Sequence, residues 1–102
     1  MRFGWHAPKS DRTLKERGFD FAFASLIFDG PTLEREDQRE DYGERRIVAM
    51  GIADGRQLTV VYTDRIVNGI LTRWILSARR SNRRERTIYQ KAVAAEADTR
   101  PR

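Results

Sequence analysis

Two dipeptides, Asp54-Gly55 and Asn68-Gly69, constrain this chain more than any other feature. Each is the kind of pair that fills a two-residue hairpin turn, in which both central residues need positive φ. The flanking runs, Ile47 to Ile52, Leu58 to Thr63 and Ile70 to Ser77, are apolar and rich in β-branched residues. Together they predict a three-stranded antiparallel meander. Its middle strand, Leu-Thr-Val-Val-Tyr-Thr, is apolar enough to be buried on both faces.

Helical signals flank the meander. Phe3-Gly4-Trp5 reads as a short first strand or an extended lead-in. Pro8 then suits a helix's first turn, Lys15 and Arg17 its negative end, and Gly18 its stop. That helix has little apolar surface beyond Leu14 and should lie exposed. Asp20 can cap a second, greasier helix through Phe21, Phe23, Ala24, Leu26, Ile27 and Phe28, closed by Asp29-Gly30-Pro31. Beyond the strands, Asn82 with Glu85 three residues on is a capping-box start for a helix from Arg83 to Ala95, with Ile88, Tyr89, Ala92 and Val93 as its docking stripe. The expected class is α+β: two N-terminal helices, an antiparallel β-sheet meander and a C-terminal helix. At 102 residues there is room for one core, so we expect a single domain over 1–96 and a frayed tail over 97–102.

Several functions are disfavoured at once. There is no cysteine, hence no disulfide framework and no thiolate metal site. No apolar run approaches the ~20 residues that span a membrane, and the first residues lack a signal peptide's apolar middle. The expectation is a cytoplasmic protein that needs no membrane. His6 is the only histidine, the carboxylates show no ligand-like spacing, and Gly51, Gly55 and Gly69 belong to hairpins rather than a phosphate-cradling loop. No metal and no cofactor is expected. Trp5, Tyr62, Trp74 and Tyr89 have the rings to stack bases, although each is more simply a core or half-buried residue.

Charge is segregated along the chain. Asp29 to Glu44 holds seven acidic residues against Arg35 and Arg39, whereas Arg73 to Lys91 holds seven basic residues against Glu85 alone. This polarity suggests a polyanionic partner at one end; an ordinary solvated surface is the other reading. Its sharpest part is Ser77-Ala78-Arg79-Arg80-Ser81-Asn82-Arg83-Arg84-Glu85-Arg86, which runs from a strand into a helix N-terminus. Arginines there oppose the helix dipole, at ~0.3–1 kcal/mol each if exposed. They make sense if an anion is held there, a phosphate above all. An acidic protein surface, or this chain's own acidic segment, would serve the same end. If RNA is cleaved, the 2′-hydroxyl would attack the adjacent phosphate, with guanidinium groups stabilising the developing charge. Glu44 is a candidate base; lysine or tyrosine would need a shifted pKa.

Four groups of residues resemble the BrnT toxin family. They are Trp5, Lys9, Leu14, Gly18 and Phe21; then Gly43-Glu44-x-Arg46 with Gly51; then Val61-Tyr62-Thr63; then Ser77-Ala78-Arg79 with Glu85-Arg86 and Tyr89. The resemblance covers nearly all of Phe3 to Tyr89. It implies a RelE-like fold, a translation-blocking endoribonuclease of a type II toxin–antitoxin pair, and a BrnA-like antitoxin whose DNA-binding domain lets the complex repress its own promoter. It implies a hetero-oligomer, or a dimer. On the matched positions it carries over Glu44, Arg46, Arg79 and Arg86 as catalytic and Lys9 as RNA-binding. Lys15, Arg17, Arg80, Arg83 and Arg84 join Lys9 as cations placed to bind RNA. Glu44 would accept a proton or orient Arg46. The chain departs from the family where Arg17 replaces a histidine and Trp74 replaces an arginine; Arg73 stands one step earlier, and a one-residue shift reverses a strand's face. The alternative is a catalytically inactive basic module that binds nucleic acid or only an antitoxin-like partner. A blander one is an interaction protein that uses the apolar edge of its sheet.

Overall fold

The computed structural model describes residues 1–98. The chain forms β1 (Arg2–Trp5), α1 (Ala7–Arg17), α2 (Phe21–Ala24), a 3₁₀ helix (Ser25–Asp29), β2 (Leu33–Glu36), β3 (Ile47–Ala53), β4 (Arg56–Val67), β5 (Ile70–Arg80) and α3 (Arg83–Asp98). The α+β class stands, but the order of elements differs from the expectation in three respects. The short first strand read at Phe3-Gly4-Trp5 is present as β1, but it joins the sheet, pairing in parallel with β5. The acidic stretch supplies β2, which pairs antiparallel with β3. The meander is therefore the middle of a five-stranded sheet ordered β1-β5-β4-β3-β2.

The third difference is the second helix. Its cap is as expected, with Asp20 Oδ1 accepting from the Phe23 amide at 2.8 Å. The α-helical part nevertheless ends at Ala24 and tightens into the 3₁₀ helix. Ser25 Oγ donates to the Ala22 carbonyl at 2.7 Å, a local bond that competes with regular helix continuation. The segment still delivers the core residues Phe21, Ala24 and Ile27.

The local signals at the turns and caps are borne out. Asp54, Gly55, Asn68 and Gly69 have φ of 47°, 79°, 51° and 78°, as turns between twisted strands demand. α1 carries Pro8 in its first turn and ends on Gly18 at φ 82°, whose amide donates to the Leu14 carbonyl. Only Ser10 of α1 is buried. α3 starts at Arg83 and runs to Asp98, beyond the expected Ala95; positions 99–102 of the expected tail lie outside the described residues.

Directly opposed residues in an antiparallel pair share a face, and successive residues alternate. The register therefore assigns each side chain to one side. Ala49, Gly51 and Ala53 of β3 oppose Val60, Leu58 and Arg56 of β4, and face α1, α2 and the 3₁₀ helix. Leu58, Val60, Tyr62, Ile75 and Ala78 on this inner face are buried with Phe19, Phe21 and Ile27. Val48, Met50, Thr59, Val61, Ser77 and Arg79 occupy the outer face. α3 covers only part of it: Tyr89 is buried and its hydroxyl donates to the Pro31 carbonyl at 2.7 Å. A register shift between Val61 and Tyr62 leaves Leu76 as an extra residue in β5, so Ile75 and Ala78 both face inward although three positions apart.

Gly51 is where the inner layer meets the sheet most closely. A Cβ there would lie 2.9 Å from Ile27 Cβ and 3.2 Å from the Ile27 carbonyl oxygen. Gly51→Ala should therefore destabilise the fold by ~1–3 kcal/mol through overpacking, lowering the thermal midpoint by roughly 4–8 °C per kcal/mol. Thermal unfolding followed by circular dichroism checks this; an unchanged midpoint would show that the contact relaxes freely.

Candidate nucleic-acid interface

The outer face of the sheet is open beyond the reach of α3, and it collects guanidinium groups at two places. The first is at the end of β5. Arg79 projects there and donates to both Glu85 oxygens, at 2.6 and 2.9 Å. Glu85 also completes the capping box: its Oε1 accepts from the Asn82 amide and its own amide donates to Asn82 Oδ1, both at 2.8 Å. One carboxylate thus closes the helix start and holds Arg79. These bonds from Arg79 keep the Glu85 carboxyl below its ordinary range.

The second place lies roughly 13 Å along the strands, four residues of β4 away. Here Glu44, just ahead of β3, meets Arg65 of β4, which lies against Trp74 of β5, and Arg46 follows Glu44 by two residues. Glu44 accepts two bonds from Arg65 Nη2, at 2.9 and 3.1 Å, so its partner is Arg65 rather than Arg46. The Arg65 guanidinium sits 5.2 Å from the Trp74 ring centroid, and that ring lies against Gly4, where a Cβ would come within 2.8 Å of it. Arg46 lies 3.9 Å over the ring of Tyr42. Its Nε is buried without a hydrogen-bond partner, and a buried donor left so costs ~1–3 kcal/mol.

The loop that carries Glu44 and Arg46 is organised by a buried carboxylate. Asp37 accepts from Arg39 Nε and Nη2, each at 2.8 Å, and from the Tyr42 hydroxyl at 3.5 Å. Its amide also donates to the Arg46 carbonyl at 2.8 Å. Asp37 therefore fixes both the backbone of Arg46 and the ring beneath its guanidinium. The Arg39 side chain holds the Asp37 carboxyl down at about 2.

The remaining sequence candidates separate. Arg73, one residue from Trp74, points to the inner side, pairs with Asp64 at 3.0 and 3.1 Å, and lies 4.1 Å over Tyr62. The reversal of face expected of a one-residue shift is what the structure has. Tyr62 is buried and donates to Glu34, which together push its hydroxyl above the ordinary range. Arg86 bonds to the Ser81 carbonyl at 2.8 Å and lines a cavity with Arg80 rather than joining Arg79. Arg83 and Arg84 are exposed on the first turn of α3, and Lys15 is exposed on α1. Lys9 Nζ reaches the Leu76 carbonyl at 3.4 Å and Arg17 Nη1 the Ala78 carbonyl at 2.6 Å, so both contact carbonyls of β5 beyond the end of β1.

Sequence reasoning missed Arg65. Its only local sign is its place in β4 opposite Thr72, which requires the register to be known. Beside this site, Glu34, Arg35, Glu44, Tyr62, Thr63 and Arg65 are among the residues that line a cleft of about 510 Å³. Among the described residues no group of three or more histidine, aspartate or glutamate side chains is placed to hold a metal ion, and no helix is long and apolar enough to cross a membrane.

Among known families, the model described as ribonuclease toxin, BrnT, of type II toxin–antitoxin system matches residues 5–85. No curated protein matches the chain.

Because Asp37 has a folded pKa of about 2 against an ordinary 3.8, its contribution to stability is present above pH ~4 and is lost as pH falls towards 2. Asp37→Asn should flatten that part of the stability–pH curve. Urea unfolding between pH 2 and 5 checks it; parallel curves for the variant and the parent would show that Asp37 is not responsible.

Proposed function

The chain belongs to the family of BrnT ribonuclease toxins of type II toxin–antitoxin systems, and on that footing we propose that it cleaves RNA laid across the outer face of its sheet. In this reading the reaction needs no metal. The 2′-oxygen attacks the neighbouring phosphorus, the P–O5′ bond breaks, and the leaving 5′-oxygen takes a proton from solvent, so that a 2′,3′-cyclic phosphate and a free 5′-hydroxyl result. Arg79 and Arg46 bind the phosphate and stabilise the charge that develops on it. Glu44 takes the 2′-hydroxyl proton as the RNA draws Arg65 from it. Lys15, Arg83 and Arg84 contribute to the positive field that attracts the strand. The fold is RelE-like in this proposal. A BrnA-like antitoxin covers the face in a hetero-oligomer and carries the DNA-binding domain.

The observation that carries the proposal is Arg46, whose guanidinium lies over Tyr42 with no carboxylate partner among the described residues, on the same side of the sheet as Arg79. The ion pair between Arg79 and Glu85 does not count heavily against it: the Arg79 side chain is 45% exposed, and such pairs are worth ~1 kcal/mol or less, so a phosphate can compete for the guanidinium.

A second reading is favoured by Arg73, which the register turns to the inner face, and by the carboxylates already on Arg65 and Arg79. It is a catalytically inactive basic module that binds nucleic acid or only its antitoxin-like partner.

Expression of the chain alone should arrest growth, and the purified protein should cut RNA. Arg79→Ala should slow cleavage by ~10²–10³-fold with the circular dichroism spectrum unchanged. Binding that weakens steeply with salt but gives no products would select the second reading. Intact RNA together with normal growth would end the ribonuclease proposal.

A further inference from the structure

Where β5 hands over to α3, Arg56, Gln57, Arg80, Ser81 and Arg86 line a cavity of about 260 Å³. No carboxylate is among its lining residues. Five ion pairs elsewhere engage Arg39, Arg45, Arg65, Arg73 and Arg79, yet among the described residues neither Arg56 nor Arg80 has a carboxylate partner. The walls are held in place. The Ser81 amide donates to the Gln57 carbonyl at 3.1 Å, Ser81 and Thr59 hydroxyls share a bond of 2.8 Å, and the Arg86 guanidinium donates to the Ser81 carbonyl. Arg56 comes from the first position of β4 and lies 5.5 Å over the ring of Phe23, which limits its freedom. Three cations facing one small concavity repel one another, and an anion with several oxygens relieves that repulsion while accepting bonds from their forks.

We propose that the carboxylate-free cavity between Arg56, Arg80 and Arg86 binds a phosphodiester of the RNA strand beside the one that is cut. This rests on the proposed ribonuclease reading and adds a second phosphate position to it. Arg79 and Arg80 are consecutive in β5 and project to opposite faces, so a strand that leaves Arg79 can pass round the end of the sheet and place its next phosphates in the cavity. The contact lies away from the reacting atoms and binds ground and transition states alike. It therefore lowers KM and leaves kcat alone.

The test compares the parent chain with Arg56→Ala and Arg56→Lys. Cleavage of an oligoribonucleotide gives kcat and KM, and fluorescence anisotropy with a labelled single-stranded DNA of the same sequence, which lacks the attacking hydroxyl, gives affinity against salt. Arg56→Ala should raise KM about fivefold or more with kcat within about twofold. It should also lower the slope of log K against log salt by about 0.7, the loss of one contact to a single strand. Arg56→Lys should keep most of the slope. If the parent cuts no RNA, the ribonuclease reading fails, but the slope measured on DNA still decides the cavity. An unchanged slope and KM in Arg56→Ala would overturn the proposal. So would stabilisation of the parent by inorganic phosphate that Arg56→Ala abolishes without altering the slope, because the cavity would then serve free phosphate. Loss of affinity only for an acidic peptide would overturn it in favour of a protein partner.

Discussion

A strand paired along both edges and packed on both faces leaves its neighbours no freedom of register. β4 is in that position, between β3 and β5, with Leu58, Val60 and Tyr62 in the inner core and Thr59 and Thr63 buried on the other side. A slip of one residue would exchange Val61 with Tyr62 and every partner with them, so the hydrophobic core enforces the alternation. The charged residues inherit it. Arg79 is on the outer face and Arg80 on the inner one, and Arg73 stacks on Tyr62 while Trp74 supports Arg65, because the core has already settled which side each position takes.

Within that frame the carboxylates act as holders. Glu85 receives the Arg79 fork on both oxygens and closes the helix start with one of them, Oε1. Glu44 keeps Arg65 close to Trp74. Both ion pairs are partly exposed, so water and salt screen them and their exchange for another anion costs little. Asp37 differs: its side chain is 1% exposed, and it organises the loop beneath Arg46. Asp37 is thus structural, whereas Glu44 and Glu85 are held by guanidinium groups a ligand would want. Both proposed phosphate positions draw on this difference between occupied and unoccupied arginines.

How much was legible follows from how local each determinant is. The hairpin pairs, the Gly18 stop, the Asp20 cap and the Asn82–Glu85 box involve residues within a few positions of one another, and each was readable. β2 was not. Leu33-Glu34-Arg35-Glu36 has one apolar residue, and as an edge strand exposed to solvent it shows no alternation to detect. The parallel pairing of β1 with β5 joins positions some seventy residues apart and has no local signature. For the site, the arginine-rich segment was visible but its division was not, since a chain cannot show which of two adjacent arginines turns inward before its register is known. The grouping of Arg56 with Arg80, and of Arg65 with Glu44, arises only when β4 brings them side by side.

The two borders of the sheet are both short. β2 and β1 contribute four residues each, and where β1 stops, Lys9 and Arg17 from α1 take up the Leu76 and Ala78 carbonyls beyond its end. Glu34, Arg35 and Glu36 leave the opposite border charged. A polypeptide with eleven- and twelve-residue strands would otherwise offer long unpaired rims to its own copies, a template for end-to-end polymerisation. With both rims blunted, the sheet presents little of the flat unpaired edge that strand addition needs, and the positive charge of α1 adds repulsion between like copies.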